Sequence, residues 1–271
     1  MKSVTIRPGP QGQAQRPVEH RERVFLLALV YGVGLLAYVL IEPTQVWILA
    51  ILALLVALGT DGILRAYSRG RLRRLDDTAV QLTLPVLFAV GAAVFVELMV
   101  EGYWAVPVTL AMAASLGTIV HAQCHSLDHR SSEYLRARII LHSACYVTAF
   151  FFLVAILSEQ VALGWWSRAA AAGLVSSLLA LEALRDAASQ PMRAVALALA
   201  MGTVMGQATW ALTFLPLNAS AGVVLLLLCF YVLTGMAQHI LAGQLGPVAV
   251  LEFAGVASLG MGGVIAVQRL F

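Results

Sequence analysis

Charged residues are scarce in this sequence. They make up 11% of the 271 residues, and 61% of the residues are hydrophobic. Soluble domains usually carry about 25% charged residues, and a water-soluble core of this length does not need so many apolar side chains. The composition therefore excludes an ordinary soluble domain and predicts a chain that is solvated by lipid.

Lysine and cysteine are also rare, and each shortage excludes a type of chemistry. Lys2 is the single lysine, so a retinal Schiff base or other lysine chemistry inside the membrane is excluded. The three cysteines, Cys124, Cys145 and Cys229, include no CxxC pair and lack the spacing of a disulfide framework. We expect each to be a small buried apolar residue, although Cys124 and Cys145 lie close to histidines.

Motifs of several common enzyme classes are missing. The sequence has no Walker A motif, no glycine fingerprint of dinucleotide-binding domains, no GxSxG nucleophile elbow and no HExxH metal motif. It also lacks the aspartate-rich pairs that hold magnesium on prenyl diphosphates. These absences leave the function open, and nothing in the sequence suggests a nucleic-acid partner.

Long apolar runs dominate what is present. A bilayer core requires about 20 apolar residues per helix, and runs of that length cover 24–41, 46–64, 79–101, 105–125, 137–158, 168–186, 192–214, 219–242 and 248–268. We therefore predict an all-α fold, a polytopic transmembrane helical bundle of eight or nine spans that forms one domain over residues 24–271. Residues 1–23, which contain several prolines and glutamines, are predicted to be a flexible cytoplasmic tail.

Basic residues and tryptophans predict the orientation of these spans. With the amino terminus inside, alternating spans place all of the 17 basic residues except Arg168 and Arg269 on the cytoplasmic side. Four tryptophans then fall at outer span ends and Trp210 lies in an outer half, as expected of tryptophan at the membrane interface. The predicted location is the inner or plasma membrane, where the lipid bilayer is the main partner.

Histidines with a spacing of four are the main chemical exception within the apolar runs. His121 and His125 lie one helical turn apart near the end of the fourth predicted span, so they share a helix face. Other ionisable residues lie at the same predicted depth: His142, Glu182, His239 and Glu252. Ionisable groups are costly in a membrane and often mark function. We therefore hypothesise that these six residues form one site near the cytoplasmic face.

Three hypotheses account for such a site. Imidazoles and carboxylates bind transition metals, and imidazole also binds haem iron, which would make the protein a metal- or haem-dependent enzyme or redox subunit. The same side chains could instead serve a transporter of a small solute, an ion or protons. In the third hypothesis they form only a polar rim at the helix ends. The protein is then an accessory subunit of a larger membrane complex, or a homo-oligomer.

Other polar residues carry separate expectations. Glu97 lies just inside the outer end of the third span and Gln207 lies within the seventh, so both are candidates for a polar pathway. Glu133 and Arg136 have the spacing of an ordinary ion pair on a helix surface. The longest loop is cationic, and four of its arginines are predicted to meet anionic lipid headgroups: Arg69, Arg71, Arg73 and Arg74.

Small residues predict one close helix contact. Helices in lipid associate through small side chains that allow their backbones to approach. The seventh span carries Gly202 and Gly206 four residues apart, and the sixth carries Ala172, Ser176 and Ala180 at the same spacing. We therefore expect these two spans to pack closely on each other.

Overall fold

The computed structural model describes residues 16–41, 46–68, 75–127, 132–185, 191–215, 217–243 and 246–270. Within these ranges the chain is helical apart from short connections, and no strand occurs. The helices are α1 (Arg16–Leu40), α2 (Val46–Tyr67), α3 (Leu75–Met99), α4 (Ala105–Ser126), α5 (Tyr134–Leu157), α6 (Trp165–Leu184), α7 (Pro191–Leu212), α8 (Ala219–Leu241) and α9 (Pro247–Leu270). A short 3-10 helix, Gly102–Trp104, precedes α4. The predicted all-α class is confirmed.

Eight helices of the described chain, α1 to α8, are long and apolar enough to cross a membrane. In α9, the apolar stretch Val250–Gly263 is shorter. The predicted polytopic bundle is therefore confirmed. Helix α1 begins at Arg16, ahead of the predicted span, because Pro17 lies in the first helical turn, where proline has no hydrogen bond to lose. Residues 1–15 of the predicted tail lie outside the described residues.

The two ends of the bundle differ in composition. We call the end that carries Arg65, Arg138 and Arg185 the basic end, and the opposite end the tryptophan end. At the tryptophan end five tryptophan side chains are exposed: Trp47, Trp104, Trp165, Trp166 and Trp210. The ring of Trp165 also stacks on that of Trp210, with ring centroids 6.2 Å apart. This distribution is typical of side chains that lie at a membrane interface.

Helix α5 lies at the centre of the bundle. It contacts α3, α4, α6 and α8, and it is the most buried of the eight spans. On its inner face Phe151 packs against Phe95 with ring centroids 4.7 Å apart. Residues near the start of α5 are therefore close to several other helices at the basic end, which is where Arg138, His142 and Glu182 lie.

Glycines set the closest helix contact, which is between α6 and α7. A Cβ on Gly173 of α6 would lie 2.9 Å from the carbonyl oxygen of Gly202, and one on Gly206 would lie 3.0 Å from that of Ala169. The expected packing of these two spans is confirmed. On α6, however, the contacting residues are Ala169, Gly173 and Ser177. The predicted stripe, which lies one position away, is buried as well: Ala172, Ser176 and Ala180.

We predict that Gly202→Val lowers the stability of the bundle, because any Cβ at this position overlaps the backbone of Gly173 and the side chain of Ser177. Overpacking of this kind costs about 1–3 kcal/mol. The measurement is the thermal unfolding midpoint in mild detergent. Gly62→Val is the matched control, because Gly62 lies in a helix with open space around it. Equal losses in the two variants would contradict the close contact.

Candidate functional site

Three potential metal ligands meet at the basic end of the bundle. His121 and His125 lie in the last two turns of α4, and their ring centroids are 4.6 Å apart. Glu133 lies at the N-cap position of α5, and its Oε2 is 3.5 Å from Nε2 of His125. One ligand atom from each of the three residues lies within 4.8 Å of the others. We call this group the His-His-Glu cluster.

The distances between the ligand atoms of the His-His-Glu cluster are close to those between the ligands of a bound ion. Ligand atoms about 2.0–2.1 Å from a tetrahedral zinc ion lie about 3.4 Å from one another. The contact between His125 and Glu133 already has this length. The other pairs need to shorten, and Glu133 can move because 57% of its side chain is exposed.

The surroundings of the cluster are partly polar. The two histidines are half-buried, and the ring of Tyr67, at the end of α2, meets that of His125 edge-on with centroids 6.0 Å apart. Arg21 of α1 lies within electrostatic range of His121. The cluster thus has protein on one side and an open face on the other, so an ion held there would keep a coordination position for another molecule.

A hydrogen bond on the opposite side of α4 fixes the rotation of this helix. Gln123 is buried, and its side-chain N–H donates to the carbonyl oxygen of Gln81 at 2.6 Å. Pro85 lies inside α3, four residues after Gln81, and has no N–H for that carbonyl. Gln123 therefore satisfies a backbone group that the proline leaves free, as a helix in lipid requires. The same bond turns His121 and His125 away from α3.

A second polar cluster lies between α5, α6 and α8. Glu182 is paired with Arg185, whose Nη1 is 3.0 Å from one carboxylate oxygen and 3.2 Å from the other. Only 3% of the Glu182 side chain is exposed. Arg138 and His142 of α5 line the same small cleft. We call this group the Arg-Glu cluster.

Hydrogen bonds hold His142 as a neutral imidazole. Its Nδ1 lies 3.2 Å from the carbonyl oxygen of Arg138, so Nδ1 must carry the proton and donate. Its Nε2 lies 2.7 Å from the side-chain nitrogen of Gln238, from which it accepts. The same Gln238 nitrogen donates to the carbonyl oxygen of Ala183 at 3.4 Å, which fixes the orientation of the amide. Both ring nitrogens are thus used, and neither is directed at an ion.

The structure divides the six residues that the sequence grouped at one depth. His121 and His125 meet Glu133 instead of the other four, and His142 and Glu182 belong to the Arg-Glu cluster. His239 packs against Phe253, with ring centroids 5.7 Å apart. Glu252 is exposed on α9. Within the described residues, no trio of His, Cys, Asp or Glu other than the His-His-Glu cluster has this close spacing.

The remaining predicted residues lie elsewhere. Glu97 is exposed at the tryptophan end and accepts a hydrogen bond from the Tyr38 hydroxyl, and Gln207 is exposed on α7. Neither residue lies in the interior, where a polar pathway through the bundle would run. The four loop arginines fall outside the described residues: Arg69, Arg71, Arg73 and Arg74. The sequence spacing predicts a pair of Glu133 with Arg136, whereas the structure also brings Glu133 to His125.

A known protein family matches the part of the chain that contains both clusters. A family model described as "Protein of unknown function (DUF5656)" matches residues 43–267. The chain belongs to the DUF5656 family. The match runs from α2 into α9, so it includes the His-His-Glu cluster and the Arg-Glu cluster, whereas α1 precedes it. No curated protein and no solved structure matches this DUF5656 chain.

We predict that Gln123→Leu destabilises the protein by about 1–3 kcal/mol, because the Gln81 carbonyl then has no donor in an apolar surrounding. In a Pro85→Ala background the loss should be smaller, because alanine at position 85 restores the missing backbone N–H of α3. The four unfolding midpoints of this double-mutant cycle provide the test. Gln207→Leu, which replaces an exposed glutamine, is the control and should cost little. If the losses of stability caused by the changes at positions 85 and 123 simply add, the hydrogen bond from Gln123 to the Gln81 carbonyl does not compensate for Pro85.

Proposed function

We propose that this DUF5656 member is a membrane protein that holds one divalent transition-metal ion in the His-His-Glu cluster. The observation that supports it is the spacing of the cluster: three ligand atoms from His121, His125 and Glu133 within 4.8 Å of one another. Two imidazoles and a carboxylate suit zinc, and the same set binds ferrous iron in other proteins. Zinc is the probe for the experiments below.

The number of protein ligands favours a catalytic metal ion over a structural one. Structural zinc sites usually have four protein ligands, whereas catalytic sites have three and leave one position for water or substrate. The His-His-Glu cluster supplies three, and the exposed Glu133 is at its open side. A metal ion there would act as a Lewis acid on a molecule that approaches from the basic end, or would activate a bound water.

A single ion fits this cluster better than haem does. Two axial histidines must lie on opposite faces of a haem. His121 and His125 are one turn apart on the same helix, and their rings meet edge to face at 4.6 Å. No macrocycle fits between these two rings. A haem with two axial histidines would therefore need a different pair, whereas a single ion suits this one.

The position of the cluster also favours a bound ion over a transported one. Substrate sites of secondary transporters usually lie near the middle of the bilayer. His121 and His125 lie at the end of α4, and Glu133 lies before the first turn of α5. A site at one end of the bundle is suited to chemistry at the membrane surface, which supports the enzyme or redox hypothesis over the carrier hypothesis.

We further propose that the basic end faces the cytoplasm and that the membrane is the inner or plasma membrane. The support is the excess of arginine at one end and of exposed tryptophan at the other. In this orientation the ion faces the cytosol.

The metal site makes a direct prediction. Purified protein in mild detergent should bind one equivalent of Zn²⁺, and His121→Ala, His125→Ala or Glu133→Gln should each weaken binding by at least about 100-fold, since each removes a direct ligand. Binding should also weaken in acidic solution, because protonated imidazole cannot bind a metal. The measurements are metal analysis and competition with a chelating dye.

His239→Ala is the matched control for these variants. It removes an imidazole from the basic end that is packed against Phe253 and lies outside the cluster. Zinc binding should be unchanged. An equal loss in His239→Ala would favour the larger site predicted from sequence, and unchanged binding in all three cluster variants would reject the proposal.

The orientation is tested by labelling introduced cysteines. Ser167→Cys, exposed at the tryptophan end, should react with an impermeant maleimide applied to intact cells. Ala66→Cys, exposed at the basic end, should react only after the membrane is permeabilised. Background from Cys124 and Cys145 is low because both are buried. The reverse pattern of labelling would place the basic end outside the cell.

A further inference from the structure

Helix α1 packs along α4, the helix that carries both histidines of the His-His-Glu cluster. A Cβ on Gly32 of α1 would lie 3.0 Å from that of Ala113 on α4. Farther along α4, a Cβ on Gly117 would lie 3.3 Å from that of Ala28. The contact thus moves toward the start of α1 as it moves toward the end of α4. The two helices are therefore antiparallel, and the start of α1 reaches the basic end beside the cluster.

This register brings Arg21 of α1 close to His121. The Cβ on Gly117 would also lie 3.9 Å from Cγ1 of Val24. Arg21 lies one turn before Val24 and His121 lies one turn after Gly117, so both are one turn nearer the basic end than this contact. In agreement, Arg21 lies within electrostatic range of His121. The Arg21 side chain is exposed and begins the first candidate membrane span, so it lies at the membrane boundary.

A bound ion would leave the cluster positively charged. The ion carries two positive charges and the Glu133 carboxylate one negative charge, whereas both histidines bind metals as neutral imidazoles. One net positive charge remains, and Arg21 supplies a second positive charge near His121. Charges interact over about 8 Å in physiological salt before they are largely screened. A negatively charged molecule is therefore favoured over a neutral one at the open coordination position.

We propose that the molecule that occupies the open position of the ion is anionic and presents a carboxylate or phosphate oxygen to it. This inference rests on the metal site proposed above, and it names Arg21 as the residue that sets the preference for negative charge. Arg21 acts through space, so its guanidinium group need not contact the bound molecule. The family match begins at residue 43, so Arg21 lies outside it, whereas the three metal ligands lie within it. Metal binding and charge preference therefore depend on different parts of the chain, which variants can separate.

A charge effect of Arg21 differs from a structural role in what it changes. Arg21→Gln should weaken the binding of acetate or inorganic phosphate to the zinc-loaded protein by about two- to fivefold, as expected for one unit charge near the protein surface. Arg21→Lys retains the charge and should bind both anions as the unchanged protein does. Imidazole, a neutral metal ligand in mildly alkaline solution, should bind equally well to all three proteins. High salt should remove the effect of Arg21→Gln on the two anions.

The experiment uses the full chain, purified in non-ionic detergent and loaded with one equivalent of Zn²⁺. Isothermal titration calorimetry measures the binding of acetate, inorganic phosphate and imidazole to each variant. Metal analysis of the same samples shows whether the ion is retained. Arg23→Gln is the matched control, because Arg23 is exposed on the same helix but lies two positions from Arg21, about 200° around the helix axis. It removes the same charge from another face of α1.

The outcomes separate this inference from the metal site on which it rests. Weaker binding of either anion to Arg21→Gln, with imidazole binding unchanged and Arg23→Gln without effect, supports the role of Arg21. Equal losses in Arg21→Gln and Arg23→Gln would indicate general surface charge and overturn it. Retained zinc with unchanged anion binding in Arg21→Gln, or with an equal loss for imidazole, would overturn this inference alone. A chain that binds no Zn²⁺ would overturn the metal site and this inference with it.

Discussion

The requirement that every backbone polar group be satisfied without water governs this structure. It explains why the described chain is helical from Arg16 onward with only short connections. It also explains a side-chain contact between α3 and α4. Pro85 deprives the Gln81 carbonyl of its donor within α3, and the amide of Gln123 replaces that donor from α4. A proline in one helix thus determines the rotation of the next, which carries His121 and His125.

Polar groups at the basic end are arranged in two separate clusters. The His-His-Glu cluster is open and contains only metal-type ligands. The Arg-Glu cluster is more buried, and both ring nitrogens of its histidine are used, one by the Arg138 carbonyl and the other by Gln238. The two clusters are therefore separate, and only the first has the ligand set of the proposed metal site. Helix α5 belongs to both sites, because Glu133 precedes it and Arg138 lies in its first turns.

Much of the fold followed from the sequence, because apolar run length is a local property. The same holds for the pairing of His121 with His125, which the helical period dictates, and for the glycine contact of α6 and α7. Contacts between segments that are distant in the sequence could not be predicted from such local patterns. Glu133 reaches His125 across a chain reversal, and Gln238 reaches His142 from another helix. The sequence predicted a shared depth for His142, His239 and Glu252, but it could not predict which way each side chain faces. One signal was present: Pro85 in an apolar run requires a donor for Gln81.

The proposed metal site requires that one ion be held by two imidazoles and one carboxylate. X-ray absorption spectroscopy of the zinc-loaded protein tests this most directly, because it gives the metal–ligand distances, separates sulfur from nitrogen or oxygen, and counts imidazole ligands by the scattering of their rings. We expect two histidine nitrogens and two oxygens, one from Glu133 and one from water, all at about 2.0–2.1 Å. Four histidine nitrogens would contradict the three-residue cluster, and so would sulfur at about 2.3 Å, the distance of a zinc–cysteine bond.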